Sequence, residues 1–126
     1  MIKIIATLLT IFAFSTSHAK KVNVGIILGF TGPIESLTPD MAAGAELAFT
    51  EASNSGKLLN GSNINIIRAD STCIDSAAAT SAAEGLVSQG VTAIMGADCS
   101  GVTGAINANV AVPNGVLMVS PSATSP

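Results

Sequence analysis

Four apolar runs punctuate the chain, and none of them alternates cleanly between apolar and polar residues. They are Val22–Leu28 (VNVGIIL), Ile64–Ala69 (INIIRA), Val91–Met95 (VTAIM) and Val116–Val119 (VLMV). Short β-branched runs of this kind predict strands buried on both faces. Between them the apolar spacing changes to helical. Met41, Gly44, Ala45, Ala48 and Ala52 recur at i, i+3, i+4, i+7 and i+11 after Thr38-Pro39-Asp40, which predicts a helix with Thr38 as N-cap and Pro39 in the first position. Asn54-Ser55-Gly56 ends it, and Asn60-Gly61 reads as a turn. Asp75-Ser76 caps a second helix that runs to Gln89 with Ala78, Ala82 and Leu86 on one face and Gly90 as its stop. A third helix runs from about Ser100 to Asn109, and Pro113-Asn114-Gly115 ends it.

The order β-α-β-α-β-α-β predicts an α/β fold: a parallel sheet with right-handed crossovers and helices on both faces. In such sheets ligands bind beyond the carboxyl ends of the strands. Four loops lie at that edge, residues 29–39, 70–75, 96–101 and 120–126.

Residues 1–19 change how the composition is read. Lys3, an apolar stretch from Ile4 to Phe14 and the small-residue ending Ser17-His18-Ala19 have the layout of a cleavable secretory signal, with cleavage expected after Ala19. The apolar stretch is short for a membrane span, and no cysteine lies nearby to carry a lipid. Its removal takes away only Lys3 of the five Lys+Arg, leaving four basic against eight acidic residues, a net charge of −4. That mild acidity gives no basic surface for nucleic acid. His18, the single histidine, falls in the signal, so residues 20–126 hold no Ser-His-Asp or Cys-His pair and no His-containing zinc site. Gly96 and Gly101 have phosphate-loop spacing, but Val102 stands where the lysine belongs, and no G-x-G-x-x-G occurs. No catalytic residue, metal site or cofactor is expected. Asn60-Gly61-Ser62 also reads as a glycosylation acceptor.

The chemistry concentrates at the carboxyl edge. Cys73 follows the second strand and Cys99 the third; in an exported chain the simplest reading is a disulfide, with two free buried thiols as the rival. Ser100 opens the third helix, where first-turn amides favour an anion, although a serine there is also an ordinary N-cap. Ser120-Pro121-Ser122-Ala123-Thr124-Ser125 leaves the fourth strand with hydroxyls and open amides, and could equally be a plain loop.

These segments carry a resemblance. Val24–Leu28 followed by Gly32-Pro33-Ile34, Gly44-Ala45, Asp70–Cys73, Gly96–Ser100 and Gly115–Pro126 resemble the first part of the periplasmic solute-binding proteins of ABC importers, in the leucine/isoleucine/valine-binding branch of the type I fold. The resemblance implies residues 20–126 as part of the N-terminal lobe of a two-lobe, non-catalytic protein. Such a protein closes on an amino acid or similar small ligand in the periplasm and delivers it to permease subunits in the inner membrane. It implies a Cys73–Cys99 bridge. It implies that Ser100 and Thr124 hold the ligand carboxylate, that the Ser122 carbonyl and the Thr124 hydroxyl help hold the ammonium group, and that Asp98, Cys99 and Ala123 border the ligand side chain. Leu37 stands where the family often packs an aromatic. Asp98 stands where a leucine binder would want an apolar group, which points to a ligand with a cationic or amide end. Alternatively, Asp98 turns away and supports the first turn of the third helix. Ligand sensing by a membrane receptor of the same fold is the second function the resemblance allows. An exported α/β enzyme is the third reading, disfavoured by the missing histidine, nucleophile elbow and phosphate loop.

Overall fold

The computed structural model describes residues 20–58 and 61–125. The expected signal, Asn60 of the predicted turn and Pro126 lie outside the described residues. The order is β1 (Lys21–Leu28), α1 (Thr38–Asn54), β2 (Asn63–Asp70), α2 (Ser76–Ser88), β3 (Val91–Gly96) and α3 (Ser100–Ile106). A π-helical turn (Asn107–Ala111), a last turn α4 (Val112–Asn114) and β4 (Leu117–Val119) complete it. All pairings are parallel, and the sheet order is β2-β1-β3-β4.

The most apolar strand takes the centre. Val24 to Leu28 of β1 are buried, between the eight-residue ladder to β2 and the pairing to β3. On one face Ile27, Val91 and Ile94 pack under Ala79, Ala83 and Leu86 of α2, Val102 and Ile106 of α3, and Val110. On the other face Ile26 and Leu28 pack under Ala42, Met41, Ala45 and Phe49 of α1. Helices therefore cover both faces, as the strand pattern predicts. Gly25 serves this packing: a Cβ there would lie 2.7 Å from the Leu86 Cδ1.

The helix faces agree with expectation in part: Met41 and Ala45 of α1 and Ala82 and Leu86 of α2 pack on the sheet, but the remaining positions are shifted. In α1, Gly44 and Ala48 are exposed while Thr38 and Ala42 are buried. In α2, Ala78 is exposed and Ala79 and Ala83 are buried. Consecutive alanines make neighbouring faces nearly equal in apolar area. The larger Phe49 decides the matter in α1, because burying an aromatic outweighs burying a methyl.

Two helix ends also differ from expectation. Thr38 is the first residue of α1 rather than its cap; its hydroxyl donates backward to the Gly29 carbonyl (3.1 Å) and to that of Glu35 (3.4 Å). The third helix does not stop near Asn109. It widens into the π turn and carries Pro113 inside the final turn, ending at Gly115 with φ of 63°. A proline deprives the helix of one donor, and Pro113 follows directly on the π turn.

Candidate functional site

Because the strands are parallel, the loops after β1, β2, β3 and β4 meet at one edge. Their side chains stitch them together in a fixed order. Cys73 and Cys99 form a disulfide whose Cα atoms are 5.2 Å apart, tying the β2 loop to the β3 loop across the end of β1. Thr72 and Cys73 both adopt left-handed backbone angles, with φ of 57° and 71°. The tight path lets Gly32, itself at φ 98°, come so close that a Cβ would lie 2.5 Å from the Thr72 carbonyl oxygen.

Asp70 organises the β1 and β2 loops. Its carboxylate accepts from the Thr31 hydroxyl (2.5 Å), the Thr31 amide (3.3 Å) and the Thr72 amide (2.8 Å). Partial burial pushes this carboxyl up. The bonds from the Thr31 hydroxyl and the Thr72, Thr31 and Phe30 amides outweigh that and hold it below the usual carboxylate range. Arg68 lies over the Phe30 ring at 5.4 Å and pairs with Glu46.

Asp98 is buried, 4% exposed, and points inward. One carboxylate oxygen accepts from the Gly29 amide (2.9 Å), the other from the Cys99 amide (3.0 Å) and the Ser71 hydroxyl (3.4 Å). Its side chain therefore does not border the cleft as the resemblance implied. Turned inward, the carboxylate offers no partner to a cationic end of a ligand in the cleft. Its inward turn matches the alternative reading of Asp98, although the carboxylate bonds the Gly29 and Cys99 amides and the Ser71 hydroxyl rather than amides inside the first turn of α3.

The β4 loop is held by serines. Ser120 donates to the Ala97 carbonyl and accepts from the Ala123 amide (2.9 Å) and the Ser122 amide (3.3 Å). The Ser122 hydroxyl donates to the Asp98 carbonyl at 2.8 Å. The Ser100 hydroxyl oxygen accepts from the amides of Thr124 (3.1 Å) and Ser125 (3.2 Å). Ser100 therefore does not cap its own helix; it faces the neighbouring loop. A groove of about 430 Å³ runs beside this cluster, between Ser100, Thr103 and Asn107 on α3 and its continuation and Met118, Ala123 and Ser125 on the β4 side.

Of the residues singled out from the sequence, Cys99, Ser100, Ser122, Ala123 and Thr124 come together here. Leu37 sits on the β1 loop and is 60% exposed, and Ile74 beside the disulfide is 75% exposed, so the same edge carries an apolar rim. Asp70, Ser71 and Ser120 had no assigned role. The signal available for the first two was an Asp-Ser-Thr step directly after a strand, residue types that bond to nearby backbone. Among the described residues no cluster of His, Cys, Asp and Glu could hold a metal ion, and no helix is long and apolar enough to cross a membrane.

Residues 21–126 match the sequence model of the family described as periplasmic binding protein. The chain is 32% identical over 121 residues to the Leu/Ile/Val-binding protein BraC3 of Rhizobium johnstonii, covering 96% of this chain and 32% of that protein. It superposes on the branched-chain amino acid transporter substrate-binding protein LivJ of Streptococcus pneumoniae, solved with isoleucine, with a TM-score of 0.74 and 33% identity over 84% of this chain and 30% of that one. An ABC transporter substrate-binding protein of Desulfitobacterium hafniense, solved with Leu, superposes with a TM-score of 0.68 and 26% identity over 85% of this chain and 30% of that one. The chain spans about a third of the length of the relatives it matches.

Proposed function

The chain belongs to the periplasmic binding protein family, and from that premise we propose that it acts in solute capture for an ABC transporter, binding a branched-chain amino acid at the carboxyl edge of its sheet. One observation carries the reading. The amides of Thr124 and Ser125 converge on a single oxygen, that of Ser100, at 3.1 and 3.2 Å. Convergent amide and hydroxyl donors at a sheet edge suit a carboxylate, whose oxygen can replace the serine oxygen as their acceptor. The Thr124 hydroxyl and the Ser122 carbonyl then remain for an ammonium group.

The side-chain preference follows from the inward turn of Asp98 and the exposed Leu37 and Ile74. With the Asp98 carboxylate turned inward, an aliphatic group is buried without that charge beside it. The relatives solved with isoleucine and leucine agree with that choice. In this reading the edge is one wall of a cleft that a second lobe closes, the bound form is handed to permease subunits in the inner membrane, and cleavage after Ala19 releases the chain to the periplasm.

Calorimetric titration with leucine, isoleucine, valine and arginine tests the ligand class. The reading predicts that an aliphatic amino acid binds at least about tenfold more tightly than arginine, a difference of roughly 1.4 kcal/mol. Equal or tighter binding of arginine contradicts it.

A further inference from the structure

Asp98 is a buried carboxylate that the binding reading does not use. Among the described residues no cation pairs with it. Its partners are instead three donors from three places: the Gly29 amide at the end of β1, the Ser71 hydroxyl at the end of β2, and the Cys99 amide at the start of the segment that carries Ser100. Its own main-chain carbonyl receives the Ser122 hydroxyl from the fourth loop. One residue thus touches all four loops of the edge.

We propose that Asp98 is a positioning residue, whose inward carboxylate locks the β1 and β2 loops to the segment bearing Ser100 and so sets the ligand-binding edge in place. The proposal rests on the reading that this edge binds the ligand. The geometry demands a carboxylate specifically. The Gly29 amide addresses one oxygen and the Cys99 amide the other, so two main-chain N–H groups need two acceptor atoms on one short side chain. Asparagine offers a single acceptor oxygen, and its NH₂ would face one of the two N–H groups. Leucine offers none and would leave both donors without a partner. Glutamate is one methylene longer, which carries its oxygens away from the positions that the Gly29 and Cys99 amides address.

The disulfide and the carboxylate divide the work. The Cys73–Cys99 bond fixes how far apart the β2 and β3 loops are. Asp98 fixes how the β1 loop, which carries Leu37 toward solvent, sits against them. Loss of the carboxylate should therefore loosen the β1 loop with the disulfide intact.

The test compares D98N with the unaltered chain by amide hydrogen exchange and by leucine titration. The Gly29 and Cys99 amides are expected to exchange about tenfold faster in D98N while those of Ile26 and Ile94 in the strands hold their rates. Leucine affinity is expected to fall about tenfold or more. Unchanged exchange at Gly29 overturns the proposal, as does faster exchange with undiminished leucine affinity. If the unaltered chain binds no leucine, the functional reading falls, and the exchange rates alone decide whether Asp98 holds the loops. Should D98N fail to fold, Ser71→Ala removes one donor only. Exchange at Gly29 about twofold to fivefold faster then supports the lock, and an unchanged rate overturns it.

Discussion

The Ser100 hydroxyl oxygen receives the Thr124 amide at 3.1 Å, so the start of α3 and the loop after β4 share a hydrogen bond across the carboxyl edge of the sheet. Twenty-four residues separate the two in sequence. The contact exists because β3 and β4 are parallel neighbours whose ends release both segments at the same level. In Ser100→Ala the Thr124 and Ser125 amides lose this acceptor. Both are solvent-exposed, so the stability cost stays near about 1 kcal/mol or below, because water takes the place of the serine oxygen. Leucine affinity should nevertheless drop about tenfold or more, since the variant also lacks a hydroxyl for the carboxylate. Parallel urea unfolding and leucine titration of the variant check the two halves.

The Cys73–Cys99 bridge closes a stretch of 26 residues that includes all of α2. On the chain-entropy account, a loop of that length stabilises the fold by about 3–4 kcal/mol. A C73S/C99S double variant should lose that much in urea unfolding. A loss below about 1 kcal/mol would mean that the unbridged chain already holds the two loops together.

Gly96 tolerates no side chain. Its φ is 132°, and a Cβ would lie 1.9 Å from the Ile27 carbonyl oxygen, inside the central strand. Gly96→Ala should cost more than about 3 kcal/mol and yield little folded protein. Gly44→Ala is the contrast, at an exposed position of α1 where nothing lies within 4 Å. It should stabilise by roughly 0.5–1 kcal/mol, as expected for removing a glycine from a helix interior. Thermal unfolding of the two variants beside the parent distinguishes these outcomes.

Asp70 gives the edge an acid sensitivity. Its folded-state pKa lies below the unfolded value, so its contribution is complete above the unfolded pKa of about 3.9 and is lost as pH falls through the folded value. Asp70→Asn removes that part of the acid dependence. The variant's urea midpoint should therefore change less between pH 6 and pH 3 than that of the parent chain, the difference lying wholly on the acid side.

The architecture was legible in the sequence because strand burial leaves a plain signature: four β-branched runs, each followed by a polar or glycine-rich loop. The Asp75 cap was legible for the same local reason, and its carboxylate accepts the Ala77 and Ala78 amides at 2.9 and 3.0 Å. The faces of α1 and α2 were legible only in part: Met41, Ala45, Ala82 and Leu86 pack on the sheet as expected, while Gly44, Ala48 and Ala78 are exposed. Runs such as Ala77-Ala78-Ala79 and Ala82-Ala83 offer two adjacent faces of equal apolarity, and only packing against the sheet chooses between them. The direction of Asp98 stayed open between the cleft and an inward turn. It depends on the backbone path through Gly96 and on acceptor demand from Gly29 and Ser71, which lie 69 and 27 residues away in sequence. Thr38 and Ser100 misled for a related reason: each has the right residue type for a cap, but a partner outside its helix claims its hydroxyl, Gly29 for the one and the β4 loop for the other.

The most direct measurement of the central claim is an amide NMR titration of the chain with leucine or isoleucine, which reports weak binding as well as tight. The account predicts that the largest shifts fall on Ser100, Ala123, Thr124 and Ser125, with smaller ones at Cys99. Shifts confined to the opposite edge of the sheet, around Lys21, Asn23 and Thr92, or no shifts at millimolar ligand, would contradict it.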